Sequence, residues 1–223
     1  MEEIADGVLR IVFRYVSAYL VVTDDGLVLV DTGLPRTHAK LDQALADAQR
    51  SVGEIRTVLV THWHTDHTGA LAYVRSASGA RVVAHAVDAP IIRGEQPAPQ
   101  TLLMRLVAPL MGASAPARVD EVLTADGTFS VPGFTAVHTP GHTDGHVSFL
   151  LDRAGGVLFA GDAAGSARGT VRLTPGPVTA DRDAATGSVT KLAGLAFDTA
   201  VFGHGAPIRG GAVERFREFA AAR

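Results

Sequence analysis

Seven residues of this 223-residue chain could carry metal chemistry: His62, His64, Asp66 and His67 in THWHTDHTG, then His142, Asp162 and His204 far downstream. The first four form an H-x-H-x-D-H run directly after the apolar stretch TVLVT (57–61). If that stretch is a strand, its period of two sends His62 and His64 off its end on one side. Asp66 and His67 then fall in a turn before a helix that begins near Thr68. Imidazole and carboxylate at this density are borderline-to-hard ligands, suited to Zn, Fe or Mn rather than Ca or Mg. The chain has no cysteine. Disulfides and thiolate ligands are therefore excluded, and His and carboxylate must hold any metal.

The elements that position these residues follow from hydrophobic patterning. VLRIVF (8–13), SAYLVVT (17–23) and LVLVDT (27–32) read as strands, with Asp24-Asp25-Gly26 as a hairpin turn. A helix from roughly Arg36 to Arg50 places Leu41, Ala44, Leu45 and Ala48 on one face. A short helix over Ala70–Ser76 and a strand RVVAH (81–85) follow the histidine run. In the second half FTAVHT (134–139), HVSFLL (146–151) and VLFAGD (157–162) read as strands. A helix over about Asp181–Phe197 precedes the strand TAVFG (199–203), and a terminal helix runs from about Gly211.

These elements contain a repeat. Ser17–Asp31 and Ser148–Asp162 each enclose a hairpin, followed by a helix and a strand ending in His, TVLVTH (57–62) and TAVFGH (199–204). Two similar half-sheets are expected, with metal ligands at strand ends that face one another. Residues 86–118 depart from the pattern. GEQPAP (94–99) breaks the chain, and QTLLMRLVAPLMG (100–112) is apolar on most faces, with Pro109 kinking or ending it. This reads as a helical insertion in a single domain spanning 1–223, serving as a core-covering helix, a lid or a homodimer contact. A lid rich in Leu102, Leu103, Leu106 and Met111 would favour an acyl or otherwise hydrophobic substrate.

Composition bounds the function. A chain that is 47% hydrophobic and 19% charged is globular, of a size for one ordinary domain. A net charge of −3 supplies no basic field, so nucleic acid is not an expected partner. No apolar run is long enough to span a membrane. MEEIADG lacks the basic and apolar regions of a secretory signal, so the cytoplasm is the expected location.

VDTG (30–33), THWHTDHTG, HTPGHTDGH, FAGD and FGHG together resemble, in order, the five sequence motifs of the metallo-β-lactamase superfamily, over about Asp31 to His204. The resemblance implies an α/β chain folded as a four-layer αββα sandwich with two divalent metal ions, zinc first and iron or manganese next, along one edge. Carried over position by position, His62, His64 and His142 hold one ion, Asp66, His67 and His204 the second, and Asp162 bridges them. Asp31 braces the histidine loop and is not a ligand; Asp66 serves as both ligand and catalytic residue. Two such ions, two carboxylates and a bridging hydroxide carry a net charge of about +1, which suits an anionic tetrahedral intermediate. Ions on the order of 3.5–4 Å apart make hydroxide available at neutral pH, so hydrolysis is the natural chemistry.

Among the other histidines, His38 is expected on a solvated helix face and His85 at a polar rim. His138 and His146 flank His142, and spacing alone does not choose the ligand among the three; the resemblance selects His142 and leaves His146 to hold a loop by hydrogen bond. The resemblance is to glyoxalase II-like proteins and lactonases, which implies cleavage of a small-molecule ester, thioester or lactone. Asp162 separates the chain from the metallo-β-lactamases proper, which usually have Cys or Ser there. Lactonases typically carry a Tyr soon after the bridging Asp; none follows Asp162, although Tyr15 or Tyr19 could reach from the first hairpin. Arg168 is the candidate for binding an anionic substrate group. The alternatives are a mononuclear-iron persulfide dioxygenase, a small-molecule phosphodiesterase, a β-lactamase-type amide hydrolase and a non-enzymatic metal-binding protein.

Overall fold

Short apolar strands punctuated by Gly and Asp turns fold into two sheets in the computed structural model, which describes residues 1–99 and 112–223. Residues 1–122 and 123–223 form two compact units. The first sheet takes its strands in chain order: β1 (Glu2–Ala5), β2 (Val8–Phe13), β3 (Val16–Thr23), β4 (Gly26–Val30), β5 (Ile55–Leu59), β6 (Arg81–His85) and β7 (Glu121–Leu123). Strands β1 to β4 are antiparallel neighbours, while β5 and β6 add in parallel. Parallel neighbours require a crossover, and α1 (His38–Asp47) and α3 (Leu71–Ser78) provide the two that are needed. Leu41 and Leu45 of α1 and Leu71 and Val74 of α3 bury their stripes in one core with Leu27, Leu29, Val58 and Val82. Asp31 and Thr61-His62 then lie in the loops just beyond the carboxyl ends of β4 and β5, and β6 ends in His85.

The second unit contributes β8 (Gly127–Thr128), β9 (Phe134–His138), β10 (Val147–Leu151), β11 (Val157–Phe159), β14 (Thr199–Val201) and β15 (Ile208–Arg209), in the order β15-β14-β11-β10-β9-β8. A separate hairpin pairs β12 (Gly165–Ala167) with β13 (Thr170–Arg172). Helices α5 (Arg182–Ala193) and α6 (Ala212–Ala221) pack Val189, Leu192, Phe216 and Phe219 against Leu158, Ala200 and Phe202. The repeat read in the sequence is present in the topology. Antiparallel β3–β4 is joined by parallel β5, and antiparallel β10–β11 by parallel β14. The backbone N–H just beyond β4 donates to Leu59 at 2.9 Å, and the one just beyond β11 donates to Val201 at 2.8 Å.

Several boundaries differ from the sequence reading. The first helix is 38–47 rather than 36–50, because Arg36 and Gln49 take φ of 63° and 56° and close it at both ends. Asp66 and His67 sit not in a plain turn but in a one-turn helix α2 (Thr65–Thr68), and the next helix starts at Leu71. The short strands β1, β7, β8, β12, β13 and β15 were not anticipated. In the region expected as an insertion, α4 (Ala89–Ile92) is helical and 112–120 is irregular; the apolar stretch bearing Leu102, Leu103, Leu106 and Met111 lies outside the described residues. Among the described residues no helix is long and apolar enough to cross a membrane.

Candidate metal centre

In the first unit one carboxylate organises the histidine run. Asp31 lies just past β4 with φ 59°, a left-handed conformation that aspartate tolerates better than most residues. Its Oδ1 accepts the Thr61 N–H at 2.9 Å, and its Oδ2 accepts the Thr61 hydroxyl at 2.8 Å and His67 Nδ1–H at 2.7 Å. The Thr61 hydroxyl donates its hydrogen bond to Asp31, so its lone pair accepts from His62 Nδ1–H at 3.0 Å. Both histidines are thereby set as Nδ1–H tautomers whose remaining lone pair is on Nε2, the form a metal needs. The His62 ring lies 4.1 Å from that of His67 and 4.8 Å from that of His64. Expecting His62 and His64 to leave the strand end itself was too simple: β5 stops at Leu59, and the loop brings the rings together.

This loop is clamped from two sides. Thr32 donates its N–H (2.7 Å) and hydroxyl (3.0 Å) to the His67 carbonyl, and Gly69 donates to Gly33 at 2.9 Å. A side chain at Gly69 would run into the backbone of Leu34 and Pro35, so this closure requires glycine. On the other side the buried Asp88 accepts the Trp63 N–H at 3.0 Å. Asp66 is buried in α2. Tyr15, half exposed in the β2–β3 turn, has its phenol raised above its ordinary pKa by burial first and by the Asp66 charge second, against an opposing effect of Arg14. The phenol stays un-ionised and can donate a hydrogen bond. Tyr19 is buried within β3.

In the second unit Asp162 Oδ2 faces two imidazoles at once, His142 Nε2 at 3.4 Å and His204 Nε2 at 3.2 Å. Its backbone is held by His146. The Asp162 N–H donates to His146 Nε2 at 2.9 Å, which leaves the ring proton on Nδ1, directed to Thr139 Oγ1 at 2.8 Å. Thr139 Oγ1–H donates to Ser148 Oγ at 3.0 Å, and Ser148 donates to the Ala160 carbonyl at 3.2 Å. The ring of bonds closes two residues before Asp162, so His146 works by hydrogen bond, and the neighbouring imidazole beside Asp162 is that of His142. His138 Nε2 bonds the Asp144 carbonyl at 2.9 Å at the protein surface. Beside His204, Gly205 has φ 112° and lies so close to the Ser166 backbone that a side chain would collide with it.

The donor set fits divalent zinc, iron or manganese: imidazoles, three of them (His62, His67 and His142) with Nδ1 engaged, and carboxylates with oxygens at hand. Each unit thus gathers its own share of the seven residues. His62, His64 and His67 cluster around Asp31, and His142 and His204 around Asp162. Arg168 stands exposed at the tip of the β12–β13 turn, with φ 53°. His38 is exposed as expected, but His85 is buried at the end of β6 and not on a rim. Thr61, Asp88, Thr139 and Thr174 were missed. Only the position of Thr61 directly before the run could have drawn notice, since threonines are common in the sequence.

Residues 11–204 match the family model of the metallo-β-lactamase superfamily. The chain belongs to this superfamily. A probable metallo-hydrolase of Bacillus subtilis, YflN, is 29% identical over 93% of this chain and 87% of its own length. Thioesterase pkgB of Emericella nidulans is 29% identical over 92% of the chain, which spans 54% of that protein. A hydroxyacylglutathione hydrolase of Albidiferax ferrireducens is 34% identical over 60% of the chain and 44% of its own length. The chain thus covers about half of these latter two relatives. In structure it is similar to BJP-1, a subclass B3 metallo-β-lactamase of Bradyrhizobium japonicum, with a TM-score of 0.75, 23% identity and coverage of 99% and 90%. That likeness establishes the αββα metallo-β-lactamase fold. As a member of the superfamily the chain is a metallo-hydrolase.

Proposed function

We propose that this superfamily member is a dinuclear hydrolase, with zinc as the fitting ion, that cleaves an ester, thioester or lactone of a small molecule in the cytoplasm. The observation that carries the reading is Asp162, whose single oxygen Oδ2 faces both His142 and His204. A carboxylate so placed is the group two ions would share. His62, His64 and His142 would hold one ion, and Asp66, His67 and His204 the other. Bound there, two divalent ions would supply a water nucleophilic at neutral pH and polarise a substrate carbonyl.

The chain's own residues would do the rest. Asp31 and Thr61 keep His62 and His67 aimed through Nε2. Asp66, as catalytic residue, would orient the attacking water, take its proton and return that proton to the departing group. The Tyr15 phenol, held in its un-ionised form, would offer the departing oxygen or sulfur a hydrogen bond rather than its proton. Arg168 on its projecting turn would meet an anionic substrate group. The likeness to a thioesterase and to a hydroxyacylglutathione hydrolase favours a thioester within this class.

The test is the metal content of protein purified without added metal, by elemental mass spectrometry, followed by panels of thioesters, esters, lactones, β-lactams and phosphodiesters. Two zinc ions per chain with thioester turnover supports the proposal. One iron per chain with oxygen uptake on a persulfide would replace it with a sulfur dioxygenase.

A further inference from the structure

The β12–β13 hairpin that bears Arg168 continues into a loop that starts at Leu173. One residue of that loop reaches the candidate metal centre. Thr174 is 5% exposed, and its hydroxyl oxygen has three partners in the second unit. These are His142 Nδ1 at 3.2 Å, the Asp162 carbonyl at 3.3 Å and Thr179 Oγ1 at 2.9 Å. Thr179 has backbone acceptors for its own proton, the carbonyls of Thr174 at 3.3 Å and Pro175 at 3.1 Å. The single Thr174 proton accordingly goes to the Asp162 carbonyl or to the Thr179 oxygen, and its lone pairs receive His142 Nδ1–H.

We propose that Thr174 is a positioning residue that fixes the tautomer and the aim of His142, and so couples the loop after β13 to metal binding. It does for His142 what Thr61 does for His62 in the other half of the chain. The parallel is not one of repeated sequence. Thr61 directly precedes its histidine, whereas Thr174 lies 32 residues beyond its own. The backbone reinforces the link, because Ala180 N–H and Asp181 N–H donate to the carbonyls of His142 and Gly141 at 3.3 and 2.8 Å. The same loop thus holds the imidazole by its ring and by its main chain, and a shift of the loop would be felt at Nε2. Groups that orient a ligating histidine in this way typically change metal affinity by about 10–100-fold when removed.

This inference rests on the proposed dinuclear site, and the experiment separates the two. Zinc stoichiometry and affinity are measured by competition with a chromophoric chelator for the wild type and for Thr174→Ser, Thr174→Val and Thr174→Ala, with thermal unfolding of each metal-free protein alongside. The expected result is two zinc ions bound by the wild type and by Thr174→Ser. In Thr174→Val and Thr174→Ala one of the two ions should bind about 10–100-fold more weakly, with the metal-free proteins still folding cooperatively and their unfolding temperatures lowered only by the lost buried hydrogen bonds. Wild-type zinc affinity in both variants lacking the hydroxyl would overturn the role of Thr174 while leaving the dinuclear reading intact. Equal weakening in Thr174→Ser would also overturn it, since the hydroxyl would then not be the operative group. A wild type that binds no zinc would instead remove the site on which the inference rests. If Thr174→Val does not fold, the smaller Thr174→Ala and the hydroxyl-bearing Thr174→Ser carry the comparison.

Discussion

Asp31 holds two imidazoles with one carboxylate, one directly and one through the Thr61 hydroxyl, and the Thr61 N–H, the Thr61 hydroxyl and His67 Nδ1–H all donate to it. Asn at this position must turn its NH2 towards a donor whichever way the amide is flipped. Asp31→Asn should therefore weaken metal binding by about 10–100-fold in chelator competition; unchanged affinity would mean that the bonds to Thr61 and His67 do not govern the ligands. Removing a proposed ligand should do more. Asp66→Ala or Asp162→Ala should lose one ion and several orders of magnitude in turnover, while exposed His38→Ala should alter neither, as elemental analysis and steady-state rates would show. Comparable losses at His38 and Asp66 would place the site elsewhere. The ligand candidates were legible in the sequence because His and Asp at such density have few other uses. Their supports were not. Asp88, Thr139 and Thr174 are ordinary residues until the fold sets their oxygens within 3.2 Å of the Trp63 N–H, His146 and His142.

At the scale of elements, the central strands were legible because buried strands read as apolar runs, and the hairpin-then-parallel order repeats in both halves. The edges were not, since β1 is half acidic and β8 and β15 are two residues long; edge strands are commonly short and charged. Nor were the helix ends, where positive φ at Arg36 and Gln49 overrides helical spacing. One ionic device pins the chain just after 112–118. Asp120 accepts the Val82 N–H at 3.0 Å and pairs with Arg75 at 3.2 Å and Arg118 at 3.0 Å. Burial by itself would raise its pKa, but the Val82 N–H and the two arginines outweigh burial and hold it below the ordinary carboxylate value. A depressed folded-state pKa contributes stability that is present above the unfolded value, about 3.9, and is lost as pH falls through the lower folded value. Asp120→Asn should thus be less stable than the wild type in urea unfolding at pH 7. The gap should close as pH drops below about 3.9; a gap independent of pH would assign the stabilisation to packing.

For the molecule as a whole, the proposed ligands are spread from His62 to His204, and an unfolded chain cannot gather them. Metal that binds the folded chain alone adds to its stability as the logarithm of free metal over its dissociation constant, about 4 kcal/mol at a thousand-fold excess. In a chain of this size each kcal/mol moves the melting temperature by about 2–4 °C, so saturating zinc should raise it by on the order of 10 °C. A strong chelator should reverse the shift. The dependence on concentration is the discriminating part. A centre that assembles only on folding gives a melting temperature that continues to climb with free zinc after the sites are full. Adventitious binding to surface histidines such as His38 and His138 would act on folded and unfolded chains alike and give little shift. A melting temperature indifferent to both zinc and chelator would mean that the seven residues do not act as one metal centre, and the hydrolase proposal would fall with it.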